Sequence, residues 1–256
     1  MYKFIVLNLR RNNLSIKKMN IKKHIPNIIT LLNLFCGCIA LVFAVDMNFE
    51  MAFYFVCLGI FFDFFDGFFA RLFKVSSPLG LQLDSLADMV TSGVVPGFVM
   101  VYMIAGEYAH APIQGYLPYL GFIITLGACY RLANFNIDTR QTDSFIGLPT
   151  PANALLILSL PLVAADNQNT PLVEIVFNKW TLIAITLLSA YIMNAEIPLF
   201  SLKIKDFTFK KNALQILFLT ASVLFLLVFK YLGIPIIIIF YVVLSVVHNK
   251  MTKNKG

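Results

Sequence analysis

The chain is a succession of long apolar runs separated by short polar breaks, and these runs restrict it to very few folds. We read about eight of them, at 27–45, 50–72, 84–105, 116–134, 151–165, 180–197, 213–229 and 231–248. A helix crossing the hydrocarbon core needs roughly 17–25 mostly apolar residues. The fifth run is short and adjoins Pro149 and Pro151, so six to eight spans are expected. Backbone polar groups have no partner in lipid, which leaves only helices and closed barrels. The runs lack the period-two alternation of barrel strands, so helices follow. The expected fold is an all-α integral membrane protein, a polytopic helical bundle. Composition agrees: 59% of residues are hydrophobic and 13% charged, against about 45–50% and about 25% in soluble domains.

The net charge of +7 follows the same topology. With eight spans and a cytoplasmic N-terminus, only Lys179 and Lys230 of the 20 Lys and Arg residues fall on the outer side. This is the positive-inside pattern, and it predicts cytoplasmic N- and C-termini. The basic excess therefore reads as orientation and contact with anionic lipid, not as a nucleic-acid surface. The four cysteines, Cys36, Cys38, Cys57 and Cys129, all lie in apolar runs and have no metal-ligand spacing with the histidines. They read as small hydrophobes.

Against this background, "FFDFFDGFFARLFKVSSPLGLQLDSLADMV" at 61–90 stands apart, because it places four of the chain's 13 acidic residues beside or within phenylalanine-rich helix. Asp63 and Asp66 are three apart and Asp84 and Asp88 four apart, so each pair lies on one helix face, about 60° and about 40° apart respectively. A turn at Ser76, Ser77, Pro78 and Gly80 would fold the two spans into a hairpin with the pairs facing each other. A carboxylate in mid-membrane costs roughly 2.5–3.5 kcal/mol on insertion scales. Four clustered carboxylates also repel one another unless cations neutralise them. Oxygen ligands suit hard divalent ions such as Mg²⁺ or Mn²⁺, and two ions would balance four carboxylates. Asp84 alone has a structural alternative, as an N-cap of the third span. On the first span, Asn27, Thr30, Asn33 and Gly37 share a face. That seam suits either helix packing through small and polar residues or the wall of a polar pocket.

Written out, the acidic segment is Asp63-x-x-Asp66-Gly67-x-x-Ala70-Arg71, eight residues, then Gly80-x-x-x-Asp84-x-x-x-Asp88. It resembles the complete signature of the CDP-alcohol phosphotransferases. "IPNIITLLNLFCG", "RLANFN" and "FIGLPTPANA" further resemble the branch of that family that uses serine as acceptor, although Asn134 and Asn153 stand where Arg and Ala are common there. The resemblance implies transfer of the phosphatidyl group from CDP-diacylglycerol to L-serine, giving phosphatidylserine and CMP. Asp63 and Asp84 would bridge two metal ions, Asp66 and Asp88 would complete one each, and Asp88 would take the proton of the incoming hydroxyl. Gly67, Arg71, Ser77 and Gly80 would hold the CDP part, with Asn27, Thr30 and Asn33 lining the cytidine pocket. Arg131 and Arg140 are the candidates for the serine carboxylate. A homodimer, an inner-membrane location and an active site facing the cytoplasm are implied as well.

On this reading residues 27–165 form the catalytic membrane domain, and 166–256 form further membrane helices that serve as scaffold or oligomer surface. Residues 19–26 suit an interfacial amphipathic segment. Residues 1–18 are expected to be a dispensable extension, since "FIVLNL" is too short for a signal-peptide core and Met19 would make a natural start. Two alternatives use the same carboxylates. Inositol phosphate, glycerol phosphate or choline would change the acceptor only. A cation-coupled transporter would also use intramembrane carboxylates, but the acids cluster at one membrane face and the later runs offer no polar pathway.

Overall fold

The computed structural model describes residues 24–75, 77–106, 115–138, 145–167, 170–200 and 212–253. The expectations for residues 1–18, for most of 19–26 and for Arg140 lie outside the described residues. The helices are α1 (Ile25–Val45), α2 (Phe49–Phe73), α3 (Pro78–Asp88), α4 (Val95–Ala105), α5 (Ile123–Ile137), α6 (Thr150–Asp166), α7 (Pro171–Val176), α8 (Lys179–Asn194), α9 (Ala213–Phe229) and α10 (Gly233–Lys253). A π-helical turn, Met89–Val94, joins α3 to α4, and 3₁₀ turns, Leu117–Phe122 and Lys230–Leu232, lead into α5 and α10. Two-residue strands β1 (Phe145–Ile146) and β2 (Pro198–Leu199) pair antiparallel, Phe145 opposite Leu199.

A helix stands at each of the eight apolar runs. Five stretches are long and apolar enough to cross a membrane: Ile25–Val45, Phe49–Phe73, Pro78–Ala105, Leu117–Ile137 and Ala213–Met251, with Thr150–Asp166 as a shorter apolar helix. The last stretch, 39 residues long, contains both α9 and α10. The molecule is a helical membrane protein.

The helix ends follow local chemistry. Asn48 caps α2 by accepting from the Met51 N–H at 3.1 Å. The helix stops at Lys74, whose left-handed backbone (φ 53°) sends its N–H back to the carbonyls of Ala70 and Arg71. Ser77 caps α3, its Oγ accepting from the Gly80 N–H at 3.0 Å, and Pro78 follows. Proline suits the first turn because its missing N–H is unpaired there in any case. The apolar run predicts a start near residue 84, but this cap starts the helix at Pro78, ahead of the apolar part. Asp84 therefore lies inside α3 and caps nothing.

The third span is the central one: 72% of its most apolar window is buried, against 17% for Ala213–Met251. Val95, Val99 and Met100 of this span share the core with Ile157 and Leu158 on α6, all at 0% exposure. The later helices expose far more of their apolar surface, as at Leu224 and Leu227 on α9. α4 meets the turn before α5 at very close range. A Cβ on Gly121 would sit 2.5 Å from the Val101 amide nitrogen and 2.9 Å from the Met100 carbonyl carbon. Those neighbours are backbone and cannot turn aside. Gly121→Ala is expected to destabilise the bundle by about 1–3 kcal/mol, as overpacking does. The check is thermal unfolding in detergent, where an unchanged midpoint would contradict this close approach.

Candidate active site

The site occupies one end of the bundle, where the starts of α1, α3 and α6 meet the ends of α2 and α5. α2 divides its faces sharply there. Phe61, Phe64 and Phe68 are exposed on the outer side and make tilted or edge-on ring contacts with Phe65 and Phe69. Asp63 and Asp66 take the inner side. One carboxylate oxygen each from Asp63, Asp66 and Asp84 lie within 4.8 Å of one another. Asp66 is buried, and Asp63 and Asp84 are half-buried. An all-oxygen set of this kind fits a hard divalent cation, so the cluster can hold metal.

Asp88 is not part of that mutual cluster, although it lines the same cavity. It is buried, and its Oδ1 accepts from Asn33 Nδ2 at 3.0 Å. Thr30 Oγ1 in turn donates to Asp66 Oδ2 at 2.5 Å. Both aspartate-bearing helices are thus tied to α1, which packs along each of them. The simple hairpin expected from the turn becomes a three-helix site.

Two cavities meet at the cluster. The smaller, about 200 Å³, is bounded by Asn27, Thr30, Ser77 and Gly80. The larger, about 440 Å³, is bounded by Arg71, Asp88, Arg131 and Thr150. Asp66, Gly67 and Asp84 line both. Gly67 leaves the junction open: a Cβ there would lie 3.4 Å from Arg71 Nη1. A Cβ on Gly80 would press on Asn27 Oδ1 and Ser77 Oγ, each at 3.2 Å. Asn33, expected in the same wall as Asn27 and Thr30, stands deeper and is fully buried against Asp88.

Arg131 is buried in the second half of α5. Its Nη1 donates to the carbonyls of Ile146 and Met193, both at 2.7 Å. It thereby pins the β1 segment to the end of α8. Gly147 sits in this clamp with φ +73°, and a Cβ there would meet the Met193 carbonyl and Arg131 Nη1. Both the backbone conformation and the space require glycine.

The family model for CDP-alcohol phosphatidyltransferase matches residues 23–193. The chain belongs to the CDP-alcohol phosphatidyltransferase family. It is similar to CDP-diacylglycerol–serine O-phosphatidyltransferase of Bacillus subtilis, with 36% identity over 141 residues, covering 54% of this chain and 75% of that protein. The Helicobacter pylori (strain J99) protein of the same name is 32% identical over 145 residues, covering 56% of this chain and 58% of its own length. Archaetidylserine synthase of Methanothermobacter thermautotrophicus is 30% identical over 142 residues, covering 54% and 58%.

In and around the site stand further polar residues to which the sequence pattern gave no role. Ser85 and Asn136 exchange hydrogen bonds at 2.9 and 3.2 Å, joining α3 to the end of α5. Thr91 donates to Asn33 Oδ1 at 2.8 Å. Both lie on helix faces whose partners come from distant segments, so spacing along the chain carries no sign of them. Among the described residues, neither side-chain amide atom of the fully buried Asn153, one turn into α6, has a hydrogen-bond partner, nor does the buried Ser92 Oγ.

Proposed function

We propose that the chain transfers the phosphatidyl group of CDP-diacylglycerol to the hydroxyl of L-serine, giving phosphatidylserine and releasing CMP. The observation that carries this reading is the aspartate cluster at the junction of two cavities, at one end of a membrane bundle. The names of the relatives above support serine as acceptor.

Asp63, Asp66 and Asp84, completed by Asp88, would hold two divalent ions, Mg²⁺ or Mn²⁺. When bound, such ions neutralise the diphosphate and stabilise the charge that develops on it. The smaller cavity takes the cytidine end against Asn27 and Thr30, with Ser77 and Gly80 forming its floor. Gly67 lets the diphosphate approach the carboxylates closely, and Arg71 pairs with phosphate through its guanidinium. The larger cavity takes serine. Arg131 faces it, and its guanidinium nitrogens beyond Nη1 offer a partner for the serine carboxylate; Arg140 is a second candidate. Asn33 engages one oxygen of Asp88, and the other accepts the serine hydroxyl proton. The serine oxygen bonds to the β-phosphorus, the one carrying diacylglycerol, as the bond to CMP breaks. Positioning and a fixed base supply the rate without a covalent enzyme intermediate.

The catalytic unit would comprise 27–165, with 166–256 as scaffold or homodimer surface. Arg71 and Lys74 at the site end of α2 support a cytoplasm-facing site in the inner membrane. The direct test is CMP release by purified protein from CDP-diacylglycerol with L-serine, inositol phosphate, glycerol phosphate or choline. Serine is expected to support turnover alone. Release with another acceptor and not with serine would overturn the acceptor assignment and leave the reaction class standing.

A further inference from the structure

We infer that Thr91 is a positioning residue for phosphatidyl transfer: through the side-chain amide of Asn33, it fixes how Asp88 presents its carboxylate to the larger cavity. The inference rests on Asp88 being the proton acceptor.

The three groups form a chain that is shut off from water at Thr91 and Asn33 and opens to the larger cavity only at Asp88. Thr91 and Asn33 are 0% exposed and Asp88 is 9% exposed. The Thr91 hydroxyl faces Asn33 Oδ1 at 2.8 Å and the Asn33 backbone carbonyl at 3.2 Å. An amide is polar end to end, with one acceptor and one donor group. With Oδ1 held by the hydroxyl, the NH₂ group points the other way, and it donates to Asp88 Oδ1 at 3.0 Å. Among the described residues Asp88 has no further hydrogen-bond partner, so Oδ2 remains for the cavity.

The fold makes room for this chain. The π-helical turn begins directly after Asp88, with the Val95 N–H reaching back five residues to the Val90 carbonyl. Pro96 has no N–H to offer the carbonyl four residues before it, so the regular ladder cannot run through here. Within the widened turn, Thr91 enters a slot cut by two glycines. A Cβ on Gly37 would lie 2.5 Å from Thr91 Oγ1, and one on Gly59 would lie 2.8 Å from Thr91 Cγ2 and 2.9 Å from Asn33 Oδ1. Glycines on α1 and α2 thus admit a threonine from a third segment, and among the described residues that threonine's side chain hydrogen-bonds only to Asn33.

Thr91→Val keeps the shape and removes the hydroxyl, leaving Asn33 Oδ1 buried without a donor. Loss of an outer partner of a reacting or ligating group typically reduces activity about 10–100-fold. We expect that loss in kcat, with KM for CDP-diacylglycerol and for serine within about twofold of wild type, since neither substrate touches Thr91. Thr91→Ser should recover most of the rate. If Thr91 acts through Asn33, the double variant Thr91→Val/Asn33→Ala should lose no more than Asn33→Ala alone. Where Thr91→Val does not fold, Thr91→Ala removes the same hydroxyl without crowding the slot.

Wild-type kcat in Thr91→Val, a Thr91→Ser variant as slow as Thr91→Val, or losses that multiply in the double variant would each overturn the inference. Turnover retained by Asp88→Asn would overturn it together with the assignment of the base. An inert Asp88→Asn alongside a fully active Thr91→Val would remove the inference alone.

Discussion

Asp88→Asn should abolish CMP release while leaving nucleotide binding largely intact. Asn33 fixes the orientation of the Asp88 carboxylate through one oxygen, and among the described residues the other, facing the larger cavity, has no hydrogen-bond partner. Positioned bases contribute about 10²–10⁴-fold, and loss of at least that size is expected. The substitution is close to isosteric, and Asn33 still donates an N–H toward position 88. The new side chain satisfies that donor with its oxygen and turns its NH₂ into the cavity. A donor then stands where the serine hydroxyl must lose its proton. Binding is expected to survive because the tight cluster is Asp63, Asp66 and Asp84, and because the smaller cavity is not lined by Asp88. The measurement pairs single-turnover CMP release with titration of CDP-diacylglycerol by calorimetry. Near-normal turnover would exclude Asp88 as base, and lost binding would move it into the nucleotide site.

The aspartates were legible because helical periodicity turns spacing into faces. Asp63 and Asp66 needed only the period of one helix to be placed on the side away from the exposed phenylalanines. Gly67 and Arg71 followed on the same helix. Thr30 and Asn33 were legible as a seam but not in their roles, because a seam does not say which helix it meets. One turn of α1 separates a cavity-lining residue from one that holds Asp88. The start of α3 was misplaced by the apolar run, since Ser77 and Pro78 start a helix whatever the hydropathy that follows. The π-helical turn was legible only in part: Pro96 interrupts the ladder, but the slot that receives Thr91 is cut by Gly37 and Gly59 on two other helices. Arg131 shows the same limit. Positive-inside charge and a carboxylate-binding arginine look identical in sequence, and neither suggests a clamp on Ile146 and Met193.

Removing divalent metal should stop CMP release, and restoring Mg²⁺ or Mn²⁺ should bring it back. The same ions should raise the thermal unfolding midpoint in the absence of substrate. Three carboxylates with oxygens inside 4.8 Å, half-buried or buried, repel one another when ionised and have given up part of their hydration. A cation that binds the folded cluster and not the unfolded chain adds about 2.7 kcal/mol when present at 100 times its dissociation constant. Asp84→Asn separates the two sides of this balance. It removes one of the repelling charges and one of the ligands that line both cavities. The metal-free variant should melt at or above the metal-free wild type, because the site is built against stability, as functional sites often are. It should also show no upward shift with metal and no turnover. The contrast matters because a merely damaged fold would melt lower under every condition. A wild type whose rate and midpoint both ignore chelation would sink the metal assignment, and would leave the cluster with no account of why three carboxylates converge beneath a wall of phenylalanine.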